Sequence, residues 1–248
     1  MTSPLLSQQA YDALYESLVT NRLRPGDQIN RRQVAADLGV GIGPVVEAML
    51  QLEWEGFLEA QPRRGTTVKA VSARQVLGWM HLRVAIEVQA ARIYAGPMIG
   101  KAEDKILPLA QKLDASARGS DASVRHEVAF HRGLVDVADC PILTRMFEHV
   151  MRHSLYYSAA RVLPKGPTRH PQSHVKLVRD LIQATPEEAD HLIRSHLDAW
   201  IQLLTQAADN EAAAAPPVGE DVRVSRVPAR TGGKTGGKKT RPQRGRKT

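Results

Sequence analysis

Residues 31–71 read RRQVAADLGVGIGPVVEAMLQLEWEGFLEAQPRRGTTVKAV, and this stretch decides the fold of the N-terminal part of the chain. A short helix fits residues 31–38. Leu38-Gly39-Val40 is a tight turn. A second helix follows from about Pro44, where proline suits the first helical position, runs to Trp54 and stops at Gly56. Two short extended runs come next, Gly56–Gln61 and Thr66–Val71, joined by Pro62-Arg63-Arg64-Gly65. Upstream, residues 7–20 form a helix with Ala10, Leu14 and Leu18 four apart, and Leu23-Arg-Pro-Gly-Asp27 is a turn. Three helices followed by a β-hairpin is the plan of a winged helix-turn-helix.

Downstream of Val71 the chain changes character. Ser72 is a plausible N-cap, and from there to residue 208 only helical periodicity is present. Val76, Met80, Val84, Val88 and Ala91 make one stripe. Later helices fit residues 99–117, 121–138, 141–161, 172–184 and 186–208. The last opens on Thr185-Pro186-Glu187-Glu188, a capping-box pattern with proline at the first helical position. The fold class expected is mainly α, a winged helix-turn-helix over residues 1–71 followed by an all-α bundle of six or seven helices over 72–208.

The chain has 248 residues, 42% of them apolar but only 4% aromatic, so its core is aliphatic. Its single cysteine, Cys140, excludes a disulfide scaffold or a Cys-rich zinc fold and fits a reducing compartment. No apolar run approaches the ~20 residues that span a bilayer, and no signal peptide is visible at the N-terminus. A cytoplasmic protein is expected, nucleoid-associated when bound to DNA, with no membrane partner. The net charge of +8 is local: residues 223–248 hold ten Lys/Arg and no acid, which leaves 24 Lys/Arg against 26 Asp/Glu in the rest. Residues 209–248 are therefore expected to be a disordered basic tail.

The order and spacing of several segments resemble the GntR family of bacterial transcription regulators. They are Tyr11-Asp-Ala-Leu14, Leu23-Arg-Pro-Gly-Asp27, Gln33-Val-Ala-Ala-Asp-Leu-Gly-Val40, Pro44-Val-Val-Glu-Ala48, Leu52-Glu-Trp-Glu-Gly56 and Arg64-Gly-Thr-Thr-Val68. Leu82-Arg83, Glu87 and Phe130-His131 resemble the FCD (FadR-type) ligand-binding domain. The resemblance covers residues 8–208 and implies a homodimeric DNA-binding regulator, not an enzyme, whose helical domain answers to a small carboxylate effector. One departure concerns DNA. Where the family has Ser-Arg-Thr-Pro-Val-Arg, this chain has Gly41-Ile42-Gly43-Pro44-Val45-Val46, so both arginines aimed at the major groove are aliphatic. The residues expected at DNA are Arg31, Arg32, Gly43, Pro44, Arg63, Arg64 and Gly65, with Lys69 as a further basic group. Most of these suit phosphates, which position a protein without specifying sequence.

Three histidines lie on apolar helix stripes: His131 beside Val128 and Val135, His174 ahead of Leu177 and Leu181, and His196 between Ile193 and Trp200. A histidine on a core face must be hydrogen-bonded or ligated, since burying an unpaired polar group costs about 1–3 kcal/mol. Glu127 stands one turn before His131 on the same face. These residues suit Zn²⁺, Ni²⁺ or Mn²⁺. By spacing alone His149/His153 and His170/His174 compete. The resemblance selects Glu127, His131, His174 and His196, because metal-binding FCD domains carry an Asp-x-x-x-His pair and two later histidines; here Glu replaces Asp. His126 and His131 are five apart, about 140° around a helix, so they do not form the i, i+4 pair of a zinc hydrolase. Arg83 and Glu87 are an i, i+4 pair. Read plainly they are a helix-surface ion pair, and the resemblance points Arg83 at the effector. Two other readings stay open: a metal-dependent enzyme using these histidines, and a nucleoid-like binder acting through its basic tail.

Overall fold

The protein's structure is a computed structural model that describes residues 3–61, 65–117, 120–159 and 173–214. The described residues begin with helix α1 (Ser3–Val19). Strand β1 (Gln28–Ile29) leads into α2 (Arg31–Leu38), whose N-cap Asn30 accepts hydrogen bonds from the amides of Arg32 and Gln33. Gly39 closes α2 at φ 64°, a left-handed turn that favours glycine. The chain then bends through 118° into α3 (Ile42–Trp54), within the range of helix-turn-helix pairs. Because Gly41 is extended and acts as the N-cap, α3 starts two residues earlier than expected, and Pro44 falls at its third position rather than its first.

The wing consists of β2 (Leu58–Gln61) and β3 (Gly65–Val68), antiparallel from Leu58↔Val68 to Gln61↔Gly65. A third strand went unpredicted: β1 pairs with β3 through Gln28↔Thr67 and Ile29↔Thr66, giving the order β1-β3-β2. Two residues are too few to display alternation, so only pairing reveals this strand.

Seven helices follow among the described residues. They are α4 (Ala73–Tyr94), α5 (Pro97–Lys101), α6 (Glu103–Asp114), α7 (Asp121–Val137), α8 (Pro141–Ala159), α9 (His174–Gln183) and α10 (Pro186–Ala214). The fold is thus a winged helix-turn-helix followed by a helical bundle, as the sequence predicts. Ser72 and Gln75 form a capping box on α4, and Thr185 and Glu188 hydrogen-bond reciprocally ahead of α10. The single helix expected over 99–117 is two helices with a break at Ala102, which ends α5 and starts α6. Residues 209–214, assigned to the tail, are instead the end of α10. Alanine favours the helix there, and Glu211 accepts a hydrogen bond from the Ala73 amide at 2.7 Å, fastening the end of α10 to the start of α4. The tail beyond Ala214 and its expected disorder lie outside the described residues, as do Arg63, Arg64 and His170.

The described residues belong to one compact unit with two cores. One is that of the bundle, from Ile86 through Phe130 and Leu177 to Leu197. The other centres on Leu14, Val45, Leu52 and Phe57 of the winged helix but also takes in Val76 and Met80 of α4, Tyr156 and Tyr157 of α8, and Leu204 of α10. Three tyrosine hydroxyls secure this second core: Tyr15 donates to the Arg152 carbonyl, Tyr156 to the Lys69 carbonyl, and Tyr11 to Glu55. In the bundle, α7 crosses α6 at Gly133, where an added Cβ would stand 2.8 Å from Leu109 Cδ1.

Candidate metal centre and nucleic-acid interface

His131, His174 and His196 come from α7, α9 and α10 and are all buried. One ring nitrogen of each lies within 4.8 Å of the others'. Their ring centroids are 5.0 to 6.3 Å apart. Two of the rings are oriented by carboxylates on other helices. His131 Nδ1 meets Glu87 Oε2 of α4 at 2.6 Å, and His174 Nδ1 meets Asp114 Oδ1 of α6 at 2.6 Å. An ionised carboxylate only accepts, so each Nδ1 carries the hydrogen and Nε2 is the atom through which each ring, when neutral, would ligate. This is the arrangement in which an outer carboxylate orients a metal-ligating histidine.

Asp114 is itself well held. It accepts from the Ser173 hydroxyl at 2.7 Å and from the amides of His174 and Val175 at the start of α9. Burial opposes its charge, but these hydrogen bonds prevail and keep its carboxyl below the usual range.

Glu127 lies at the edge of the cluster. Its Oε1 stands 3.2 Å from His131 Nε2, without hydrogen-bond geometry, and its Oε2 is 4.0 Å from His174 Nε2. The Arg83 guanidinium donates to Glu127 at 3.1 Å and to Glu87 at 2.6 Å. Arg83 and Glu87 are 3% and 2% exposed, so their pair is not on the helix surface. Burial by itself would raise Glu127, yet His131 and Arg83 hold it well below the ordinary carboxylate range. Burial would lower His131, and Glu87 and Glu127 overcome it and lift the ring above its usual value. For His174 burial wins, and the ring is held low.

The donor set fits a divalent cation. Three imidazoles suit Zn²⁺, Ni²⁺ or Mn²⁺ and leave coordination positions open. Arg83, Glu87, Glu127 and Asp114 together carry two net negative charges, which a divalent ion would balance.

The competing pair, His149 and His153, lies elsewhere. The His153 ring is stacked between Phe57 of the wing, at 4.4 Å, and Trp79 of α4, at 3.8 Å. His149 meets the edge of Trp79. Burial, with His149 and Arg152 nearby, pushes His153 down to about 3. Spacing selected His131, His174 and His196 only with help from the resemblance. Nothing in the sequence indicates that Glu87, paired there with Arg83, or Asp114 would meet these histidines. Neither has a local signal, because they reach their histidines across 44 and 60 residues of chain.

At the other end of the molecule, Arg31 and Arg32 are exposed on the first turn of α2. Gly43 is exposed, Pro44 is half-buried, and Gly65 opens β3 at φ 86°. Arg31 and Arg32 therefore sit at the start of α2, and Gly43 and Pro44 in the first turn of α3, just after the turn that joins the two helices. Two open clefts, of about 460 and 500 Å³, lie on α7/α8 and on α1/α2, and neither is lined by Arg83 or the three histidines. No single described helix is long and apolar enough to cross a membrane.

Residues 6–68 match the bacterial regulatory proteins of the gntR family, and residues 79–199 match the FCD domain. An uncharacterized HTH-type transcriptional regulator of Bacillus subtilis (strain 168) is 29% identical over 57% of this chain and 65% of its own length. The chain thus spans just under two thirds of that relative. A protein of Paenarthrobacter nicotinovorans, named a probable D-xylose utilization operon transcriptional repressor, is 26% identical over 81% of this chain and 89% of its own. A solved GntR structure from Rhodococcus sp. RHA1 shares the fold with a TM-score of 0.63 and 15% identity, over 81% of this chain and 98% of that one.

Proposed function

Because this chain belongs to the gntR family of bacterial regulatory proteins and carries an FCD domain, we propose that it is a homodimeric, DNA-binding transcription regulator whose bundle holds a divalent metal and a small organic acid. The observation that carries the metal is the convergence of His131, His174 and His196 with two of the rings pre-oriented by Glu87 and Asp114. In this reading Nε2 of His131, Nε2 of His174 and one ring nitrogen of His196 ligate the ion, with Glu127 beside them. When bound, the ion supplies a Lewis-acidic position for the carboxylate of an effector. Arg83 is enclosed by Glu87 and Glu127, so it reaches an effector carboxylate by releasing Glu127.

The path from bundle to winged helix supports regulation. Glu87, which orients His131, lies on α4, and so does Trp79, which stacks on His153 against Phe57 of the wing. A shift of α4 on ligand binding therefore bears on both sites, as coupling requires. On DNA, Arg31, Arg32, Arg63 and Arg64 meet phosphates, and the backbone at Gly43, Pro44 and Gly65 allows close approach. A dimer places two such units on half-sites related by two-fold symmetry.

The test is metal analysis of the purified full-length chain beside a His131/His174/His196 triple alanine variant. One divalent ion per chain is expected in the parent and none in the variant. Equal content in both would sink the metal centre.

The second reading, sequence-independent binding through the basic tail, rests on the ten Lys/Arg and absence of acids in residues 223–248. If roughly half of these charges meet phosphates, truncation after residue 222 lowers the slope of log affinity against log salt by about 4–5. Such truncation would weaken binding to selected and random duplexes alike. An unchanged slope would exclude the tail from DNA.

A further inference from the structure

Helix α3 carries the sequence IGPVVEAMLQLEW, with no lysine or arginine and with Glu47 and Glu53 as its charged residues. Its inner face is Val45, Ala48, Met49 and Leu52, all buried. Its outer face is also apolar. Ile42 is 47% exposed, Val46 is half-buried, Leu50 is 58% exposed and Trp54 is 85% exposed. These four residues recur every four positions, and each four-residue step turns about 40° past a full circle. Ile42 and Val46 therefore share one face of the first two turns.

Beside them the surface is open. Nothing lies within 4 Å of the place a Cβ would occupy on Gly43. Two polar side chains farther along α3 are engaged within the protein: Gln51 donates to Glu55, and Glu53 accepts from the Ala60 amide.

A major groove offers such a face one apolar group. Guanine presents two acceptors, O6 and N7, which need donors; thymine presents its C5 methyl group, which needs only an apolar surface. Charged donors are absent from α3, whose exposed acid Glu47 is no partner for guanine's acceptors. The groups that fix the helix on the duplex lie outside it: Arg31 and Arg32 are exposed at the head of α2, which meets α3 at 118°.

We propose that Ile42 and Val46 are specificity-determining residues that select thymine by packing on its C5 methyl group. The inference rests on the DNA-binding reading and gives that surface its base preference. The exchange of donors for aliphatic side chains at these two positions is thus a change of what is read rather than a loss of reading. Discrimination is modest per contact, because burying one methyl group is worth about fourfold in affinity. Two contacts per half-site give about fifteenfold by the same measure.

The experiment has two steps. Full-length protein first selects duplexes from a random pool. Each thymine of the enriched site is then replaced singly by uracil, which removes the methyl group and keeps the base pair. Affinity is measured at fixed salt for the parent, Ile42→Ala and Val46→Thr. Ile42 is exposed, so its truncation leaves the core intact, and circular dichroism checks both variants. The expected result is about fourfold weaker binding at one or more uracil positions in each half-site, with the difference between thymine and uracil lost in Ile42→Ala or Val46→Thr. An enriched site that tolerates uracil at every position overturns the proposal and leaves the DNA-binding reading standing. A uracil effect that persists unchanged in both variants overturns it too, since another residue would then read the methyl. If the protein binds duplexes but enriches none over random sequence, no base is read and the proposal is overturned; if it binds no duplex at all, the DNA-binding reading falls with it.

Discussion

Among the described residues, buried histidines lie in two places with opposite environments. In the bundle, His131 and His174 are each oriented by a carboxylate, and one ring nitrogen of each lies within 4.8 Å of the other's and of His196's. At the foot of the wing, His153 lies flat between Phe57 and Trp79, 1% exposed, with its basicity pushed down to about 3. The residue type and the burial are the same. The difference is what the ring faces: carboxylates that favour a proton or a cation in one case, aromatic faces and the positive side chains of Arg152 and Lys69 in the other. Burial of a histidine therefore says little about its role until the groups on its two nitrogens are known.

The largest effect expected is on metal binding. The triple alanine variant should lose the ion completely, whereas His149→Ala with His153→Phe should keep a full equivalent. Because a native-state ligand stabilises by mass action, about 2.7 kcal/mol at a hundred times its dissociation constant, added metal should raise the Tm of the second variant and leave the triple variant unmoved. Metal retained by the triple variant and lost by the other would reverse the comparison.

A sharper test removes only the orienting carboxylates. Asp114→Asn and Glu87→Gln keep shape and lose charge. Outer groups of this kind are worth about 10–100-fold in metal affinity, and competition with a chromophoric chelator measures it. Unchanged affinity in both variants would mean that convergence of the three rings suffices without orientation.

The third prediction concerns pH. His153 has a folded value near 3 against an ordinary 6.5. Below pH 6.5 the unfolded chain takes up a proton that the folded chain refuses, so stability falls as the pH drops from 6.5 towards 3. The slope well inside that window is roughly 1 kcal/mol per pH unit, or about 2–4 °C of Tm for a unit of this size. His153→Phe keeps a ring between Phe57 and Trp79 and removes the titration. Its Tm should therefore fall less on acidification than the parent's, and parallel curves would show that His153 is protonated in the fold.

The smallest effect tests the bond between wing core and bundle. Tyr15→Phe removes the donor to the Arg152 carbonyl, at a cost of roughly 1 kcal/mol in thermal or urea unfolding. No change would mean that apolar packing, not this hydrogen bond, holds α1 against α8.

Much of this architecture was legible in residue order. The Thr185 capping box, the Ser72 N-cap, the Gly39 turn and the aliphatic stripes are local signals, and they stand where they were expected. The exchange of arginines for Ile42 and Val46 was equally plain, since a side chain's chemistry needs no fold to be read. Other features were not legible. The two residues of β1 pair with β3 only across the sheet, and the break at Ala102 interrupts a stretch whose composition is helical throughout. The end of α10 looked like the start of a tail because Ala212–Ala214 carries no apolar stripe, yet Glu211 pins it to α4.

Periodicity tells which face of a helix is buried, not what that face meets. By itself the sequence determined the helices, the helix-turn-helix with its wing, and three histidines on core-facing stripes. The tertiary structure alone decided that those stripes turn towards one another, that Glu87 and Asp114 close behind His131 and His174, and that His153 is walled in by aromatic rings instead. Those outcomes depend on contacts between residues far apart in the chain, which exist only once the helices have packed.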